Sequence, residues 1–139
     1  MIKPGDKVFV DTGAWIALAV VADPLHERAT DAWRQVLTSG AKLRTSVPVV
    51  LETFTYLDRK GNRGLATQWR ERLDDVPRFE IYNATAPDLA GAWEWLARPQ
   101  FNRLGLVDAM SFVLMRREHI KLALAFDVHF ATAGFRCVD

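Results

Sequence analysis

Residues Val8–Trp15, VFVDTGAW, run three apolar residues into Asp-Thr-Gly and leave them toward a helical pattern. Two chemistries share those letters. One is the catalytic loop of an aspartic protease; the other is a buried strand that delivers a single carboxylate to a metal site. A protease needs two carboxylates sharing one proton, hence a second such loop or a symmetric dimer, in an all-β chain. Only one Asp-Thr-Gly is present, and two helical patterns ending near Leu37 follow it where hairpins and a flap should stand. The surroundings favour the strand.

The same alternation repeats outward from that stretch. Lys7–Val10 is a short apolar run bounded by Pro4-Gly5 and Asp11, which predicts a buried strand. Residues 14–22 are helical in pattern and Asp23-Pro24 interrupts them. Leu25, Ala29, Ala32, Trp33, Val36 and Leu37 then recur at helical spacing until Ser39-Gly40. Lys42–Ser46 predicts a second strand, and Pro48 starts a helix through VVLETFTYLDRK that Gly61 closes. Leu65–Leu73 predicts a helix, VPRFEIYNA a strand, and Ala86–Leu96 a helix ended by Arg98-Pro99. LVDAMSFVLMRREH is helical, KLALAF strand-like, and FRCV a short edge strand. Strands and helices alternating at this spacing predict a mainly parallel sheet covered on both faces. The fold expected is one α/β/α sandwich spanning residues 1–139, with no linker or repeat.

Composition agrees with a packed domain. Half of the 139 residues are hydrophobic and a quarter charged, and a chain of this length buries roughly two-thirds of the surface it exposes when unfolded. The net charge of +1 leaves any polyanion contact to a local patch. The single cysteine, Cys137, cannot form an internal disulfide and suits a reducing cytoplasm. Lys3 and Lys7 before WIALAVVA imitate a secretory signal, but Asp11 breaks the apolar run and no stretch approaches the roughly 20 residues of a membrane span. A cytoplasmic protein without a membrane partner is expected.

In a parallel α/β sheet, ligands bind outside the carboxyl ends of the strands. Asp11 and Asp127 leave strands there, Glu52 lies one or two turns into the helix after the second strand, and Asp108 is in the first turn of a later helix. Each has a plain alternative. Asp11 and Asp127 could only cap the helices that follow, and Asp108 could only serve a helix dipole. Glu52 interrupts the apolar series Val49, Val50, Leu51, Phe54, where a carboxylate without a partner is costly. Gathered at one rim, four carboxylates must hold protons or bind a cation. Hard oxygen donors without a His or Cys ligand pattern point to Mg²⁺ or Mn²⁺ and away from zinc.

VFVDTGAWIALAVVADPLHERA, TSVPVVLETFTYL, LGLVDAMSFVLMRREHI and LALAFDVHFATAGFRCV resemble, in order and surroundings, the acid-bearing segments of PIN-domain ribonucleases, particularly the VapC-type toxins of bacterial toxin–antitoxin pairs. The resemblance implies that Asp11, Glu52, Asp108 and Asp127 form the acidic constellation and that Thr12 is the small hydroxyl residue beside the metal. Gly13 stands where many relatives carry Ser or Asn. The resemblance further implies cleavage of single-stranded or looped RNA, a homodimer, and restraint by a separately encoded antitoxin. A housekeeping nuclease of the same fold, or a catalytically silent RNA- or protein-binding module, would carry the same outline.

Candidate phosphate contacts are Arg59, Lys60 and Arg63 after the second-strand helix, and Arg98 and Arg103 in the loop before Asp108. Arg116, Arg117 and Lys121 lie at a helix end, where cations are favourable without any ligand. Trp33 and Trp93 are expected in the core and Trp95 at the surface. His26, His119 and His129 follow no ligand spacing, although His129 stands close to Asp127. A phosphoacceptor receiver domain would need an adjacent acid pair after the first strand and a Lys after a late one, and neither is present.

Overall fold

Val8, Phe9 and Val10 are all fully buried. Successive strand residues face opposite ways, so both faces of this strand are covered. In the computed structural model, which describes residues 1–138, it is the central strand of a five-stranded sheet. The strands are β1 (Lys7–Val10), β2 (Lys42–Ser46), β3 (Phe79–Tyr82), β4 (Leu122–Leu124) and β5 (Arg136–Cys137), in spatial order β3-β2-β1-β4-β5. Every pairing is parallel; Phe9 stands opposite Arg44 on one side and Ala123 on the other. All strands therefore end at one rim. This topology has no place for the double-loop active site of an aspartic protease.

The helices are α1 (Thr12–Ala19), α2 (His26–Ser39), α3 (Val47–Tyr56), α4 (Arg63–Leu73), α5 (Ala86–Leu96), α6 (Leu106–Arg117) and α7 (Val128–Thr132). Their ends follow local chemistry. Ser46 closes β2 and caps α3 by accepting from the Val49 amide at 3.2 Å, with Pro48 in the first turn. Gly40 ends α2 in the left-handed region at φ 75°, where a side chain would be strained. Thr85 and Asp88 form a reciprocal capping pair on α5. Beyond Tyr56, α3 widens into a π-helical turn over Leu57–Gly61 before Asn62 caps α4.

Two aromatic clusters pack the helices down. Trp15 lies 5.4 Å from Trp33 and 6.0 Å from both Trp69 and Phe79. Phe112 touches Trp95, Phe101, Phe130 and Phe135 at ring separations from 4.9 to 6.1 Å. The tryptophans of α5 reverse the sequence expectation, since Trp95 is 4% exposed and Trp93 52%. The reason lies in Asp88. Its carboxylate is satisfied by the cap and by Arg117 at 2.6 Å, so a charged residue can join Ala92 and Trp95 on the inner face. Trp33 is partly buried against the core. Among the described residues no helix is long and apolar enough to cross a membrane.

Candidate functional site

Asp11 leaves β1 in an extended conformation, φ −86° and ψ 164°, as the residue before α1. Its amide donates to the Leu124 carbonyl at 3.1 Å and its carbonyl accepts from the Trp15 amide at 3.1 Å, which pins the backbone on both sides. The residue is 4% exposed. Asp127 follows β4 and caps α7, accepting from the His129 amide at 2.8 Å. Asp108 sits in the first turn of α6. Glu52 stands on α3, whose start is fixed by the Ser46 cap at the end of β2. Each acid is therefore carried by the end of a strand or by the opening turns of a helix leaving the same rim.

The four carboxylates act on one another. Burial pushes the Asp11 pKa up to about 7. The amides of Thr12 and Gly13 face the group and draw it part of the way back, while Glu52 and Asp127 add to the rise. Asp108 is pushed up to about 9, first by burial, then by the charge of Asp11, the charge of Asp127 and a hydrogen bond with it, and the charge of Glu52. Acids crowded to this degree keep protons that isolated carboxylates release near pH 4.

Asp11 Oδ1 and Thr12 Oγ1 are buried without a hydrogen-bond partner. An ionised oxygen in that position is expensive unless something positive reaches it. The donor set is hard oxygen, which suits Mg²⁺ or Mn²⁺. Among the described residues no three His, Cys, Asp or Glu side chains stand close enough together, as placed, to hold a metal ion. Asp11 lies deep, Glu52 lies out at the exposed edge, and Asp108 and Asp127 are engaged with each other. The mutual electrostatic action, and not a finished cage, marks these residues as one group. His129 Nδ1 lies 2.7 Å from Asp127 Oδ1, an ion-pair distance without hydrogen-bond direction.

Glu52 itself departs from expectation. The inner face of α3 is Val49, Thr53 and, one turn on, Leu57, so Glu52 and its neighbour Leu51 point outward and are exposed. Exposed, the Glu52 carboxylate pays no desolvation cost among its apolar neighbours, and what ties it to the group is its electrostatic action on Asp11 and Asp108.

The candidate cations divide. Arg59 and Lys60 share a shallow surface with Glu52, Leu51, Tyr56 and Val107. Arg63 is held in a two-pronged pair by Asp58 at 2.6 and 2.8 Å, and the Arg98 guanidinium lies over the Trp95 ring at 3.8 Å. Arg103 is exposed in the loop before α6. Sequence reasoning missed Thr45, a fully buried threonine that bonds to Val10 and Trp15, and Arg28, whose guanidinium lies 5.1 Å from the ring of Phe126, just before Asp127. Neither carries a periodic or motif signal.

A parallel sheet of this order, with acids from four segments acting on one another at its rim, defines a nuclease class of α/β domain. The chain belongs to the PIN domain family, whose model matches residues 8–136. It is 39% identical over 129 residues to the 23S rRNA-specific endonuclease VapC20 of two Mycobacterium tuberculosis strains, covering 92% of this chain and 95% of that protein. The crystal structure of Mycobacterium tuberculosis VapC20, described as a sarcin-ricin loop cleaving toxin, superposes with a TM-score of 0.81 at 34% identity, over 92% of this chain and 95% of that one. DNA-bound VapBC2 from Rickettsia felis shares the fold at TM-score 0.65 and 13% identity, covering 94% of this chain and 96% of that one.

Proposed function

We propose that this protein is a divalent-metal-dependent endoribonuclease of the VapC toxin type, with Asp11, Glu52, Asp108 and Asp127 holding Mg²⁺ or Mn²⁺. The observation that carries this reading is the buried, partnerless Asp11 oxygen at the centre of mutually acting carboxylates. When bound, the ion makes a water more acidic and neutralises charge on the phosphoryl oxygens. Asp11 and Asp108 would hold the ion, Asp108 in its ionised form. Asp127 or Glu52, nearer solvent, would orient the attacking water and take its proton as the water oxygen bonds to phosphorus, while the P–O bond to the ribose breaks and the departing oxygen takes a proton from solvent. Thr12, whose hydroxyl has no protein partner, would stand beside such an ion and steady this arrangement.

The substrate class is single-stranded or looped RNA. The VapC20 relative is described as specific for 23S rRNA and as cutting the sarcin-ricin loop, which supports a structured ribosomal loop as target. Arg59 and Lys60, beside Glu52, are the favoured phosphate contacts, with Arg103 behind them. Arg63 and Arg98 are already committed to Asp58 and Trp95.

Two surfaces suit protein partners. Val47, Leu51, Tyr56 and Leu106 are between 38% and 63% exposed, an apolar strip on α3 and the start of α6 that supports a homodimer. A cleft of about 340 Å³ between α1, α2 and α4, lined by Trp15, Trp33, Trp69 and Leu65, supports an antitoxin with apolar anchoring side chains. The VapBC complexes among the structural neighbours favour such a partner. A cytoplasmic location follows from a ribosomal target. The test is cleavage of ribosomal RNA by the purified protein. Activity should require Mg²⁺ or Mn²⁺, stop with EDTA and vanish in Asp11→Asn; cleavage that persists in EDTA rejects the reading.

A further inference from the structure

Thr45 is fully buried, and its single hydroxyl is used twice. It donates to the Val10 carbonyl at 2.9 Å and accepts from the Trp15 indole at 3.2 Å. The last register pair between β1 and β2 is Phe9 with Arg44, so the hydroxyl continues the pairing one residue farther, at the point where the strands stop. Val10 is the residue before Asp11, and Trp15 is the residue whose amide bonds to the Asp11 carbonyl. On its other side Thr45 precedes Ser46, the cap of the helix that carries Glu52.

We infer that Thr45 is a positioning residue for the metal site: its hydroxyl fixes Asp11 relative to the helix bearing Glu52, and so sets the affinity for a divalent cation. This rests on the metal-nuclease reading above. Three backbone anchors surround Asp11, through Leu124, Trp15 and Val10, and only the last depends on a side chain. Val has the shape of Thr without the hydroxyl, so Thr45→Val leaves the Trp15 N–H and the Val10 carbonyl without that partner and frees the junction of β1 with α1. Groups one step behind a metal ligand commonly govern its affinity by 10–100-fold, which sets the scale of the effect.

The experiment is Mn²⁺ binding to the RNA-free protein, followed by calorimetry, for wild type, Thr45→Val and Thr45→Ser, with circular dichroism to establish that each is folded. Thr45→Val should bind Mn²⁺ about tenfold or more weakly while Thr45→Ser, which keeps the hydroxyl, binds close to wild type. Equal affinity in wild type and Thr45→Val, or a Ser variant as weak as the Val variant, overturns the assignment. Should Thr45→Val fail to fold, Thr45→Ala decides, because it removes the bond to the Val10 carbonyl without adding a methyl beside the unpaired groups: weaker binding supports the role, unchanged binding overturns it. Absence of Mn²⁺ binding by the wild type rejects the metal-site reading and this inference with it. Wild-type binding with unaltered variants rejects Thr45 alone.

Discussion

Asp108 and Asp127 come from segments nearly twenty residues apart, yet Asp127 stands close enough for its negative charge to help hold a proton on the buried Asp108 carboxyl. In the unfolded chain Asp11 and Asp108 release their protons near pH 4, whereas in the folded protein Asp11 holds one to about 7 and Asp108 to about 9. The folded state therefore binds more protons across that interval, and stability falls as pH rises from about 4 through 9. Thermal unfolding in EDTA should give a melting temperature that declines over this range. Saturating Mg²⁺ should flatten the decline, because a cation takes the place of the protons. A melting temperature in EDTA that rises between pH 5 and 9 contradicts the coupling.

Asp11→Asn keeps the shape of the side chain and removes its charge. Cleavage should drop by more than about 100-fold, beyond the loss expected from a group one step behind a ligand. Metal-free stability near pH 8 should hold or increase, since a crowded buried acid has been neutralised. A rate assay paired with a melting curve separates the two. Loss of folding together with loss of activity would leave Asp11 a structural role only.

Removing Arg59 and Lys60 together should weaken binding of an RNA oligonucleotide in a cleavage-inactive background and lower the slope of log affinity against log salt by about 0.7 for each cation in contact with a single strand. Arg63→Ala should leave that slope unchanged, because its guanidinium is already engaged by Asp58. Equal slopes in all three proteins would remove the surface beside Glu52 as the RNA track.

Trp95 and Trp93 differ by two positions and should differ sharply in cost. Trp95→Ala empties a site packed by Phe101, Phe112, Arg98 and Arg116, for a loss of about 3–5 kcal/mol. Trp93→Ala, at an exposed site, should stay within about 0.5 kcal/mol of wild type. Urea denaturation of both variants measures the contrast.

That pair also marks where the sequence misleads. The strand and helix order was legible because buried parallel strands read as unbroken apolar runs, as in Lys7–Val10, and because Pro48, Gly40 and Asp88 punctuate helices by rules local to the chain. The acids were visible as candidates because the ends of parallel strands share one rim. The facing of α5 was not legible, since it depends on Arg117, 29 residues away, neutralising a buried Asp88. The outward turn of Glu52 was hidden likewise, because Thr53 took the inner position that an apolar count would not give it. Thr45 stayed invisible because its partners, Val10 and Trp15, lie 35 and 30 residues away.

The most direct measurement is a crystal structure of the protein soaked in Mn²⁺, with the ion located by its anomalous scattering. The peak should lie at the rim of the sheet, with carboxylate oxygens of Asp11 and Asp108 at about 2 Å, the range of hard-cation ligands. A peak elsewhere on the surface, with Asp11 Oδ1 still buried and unliganded, would contradict the account.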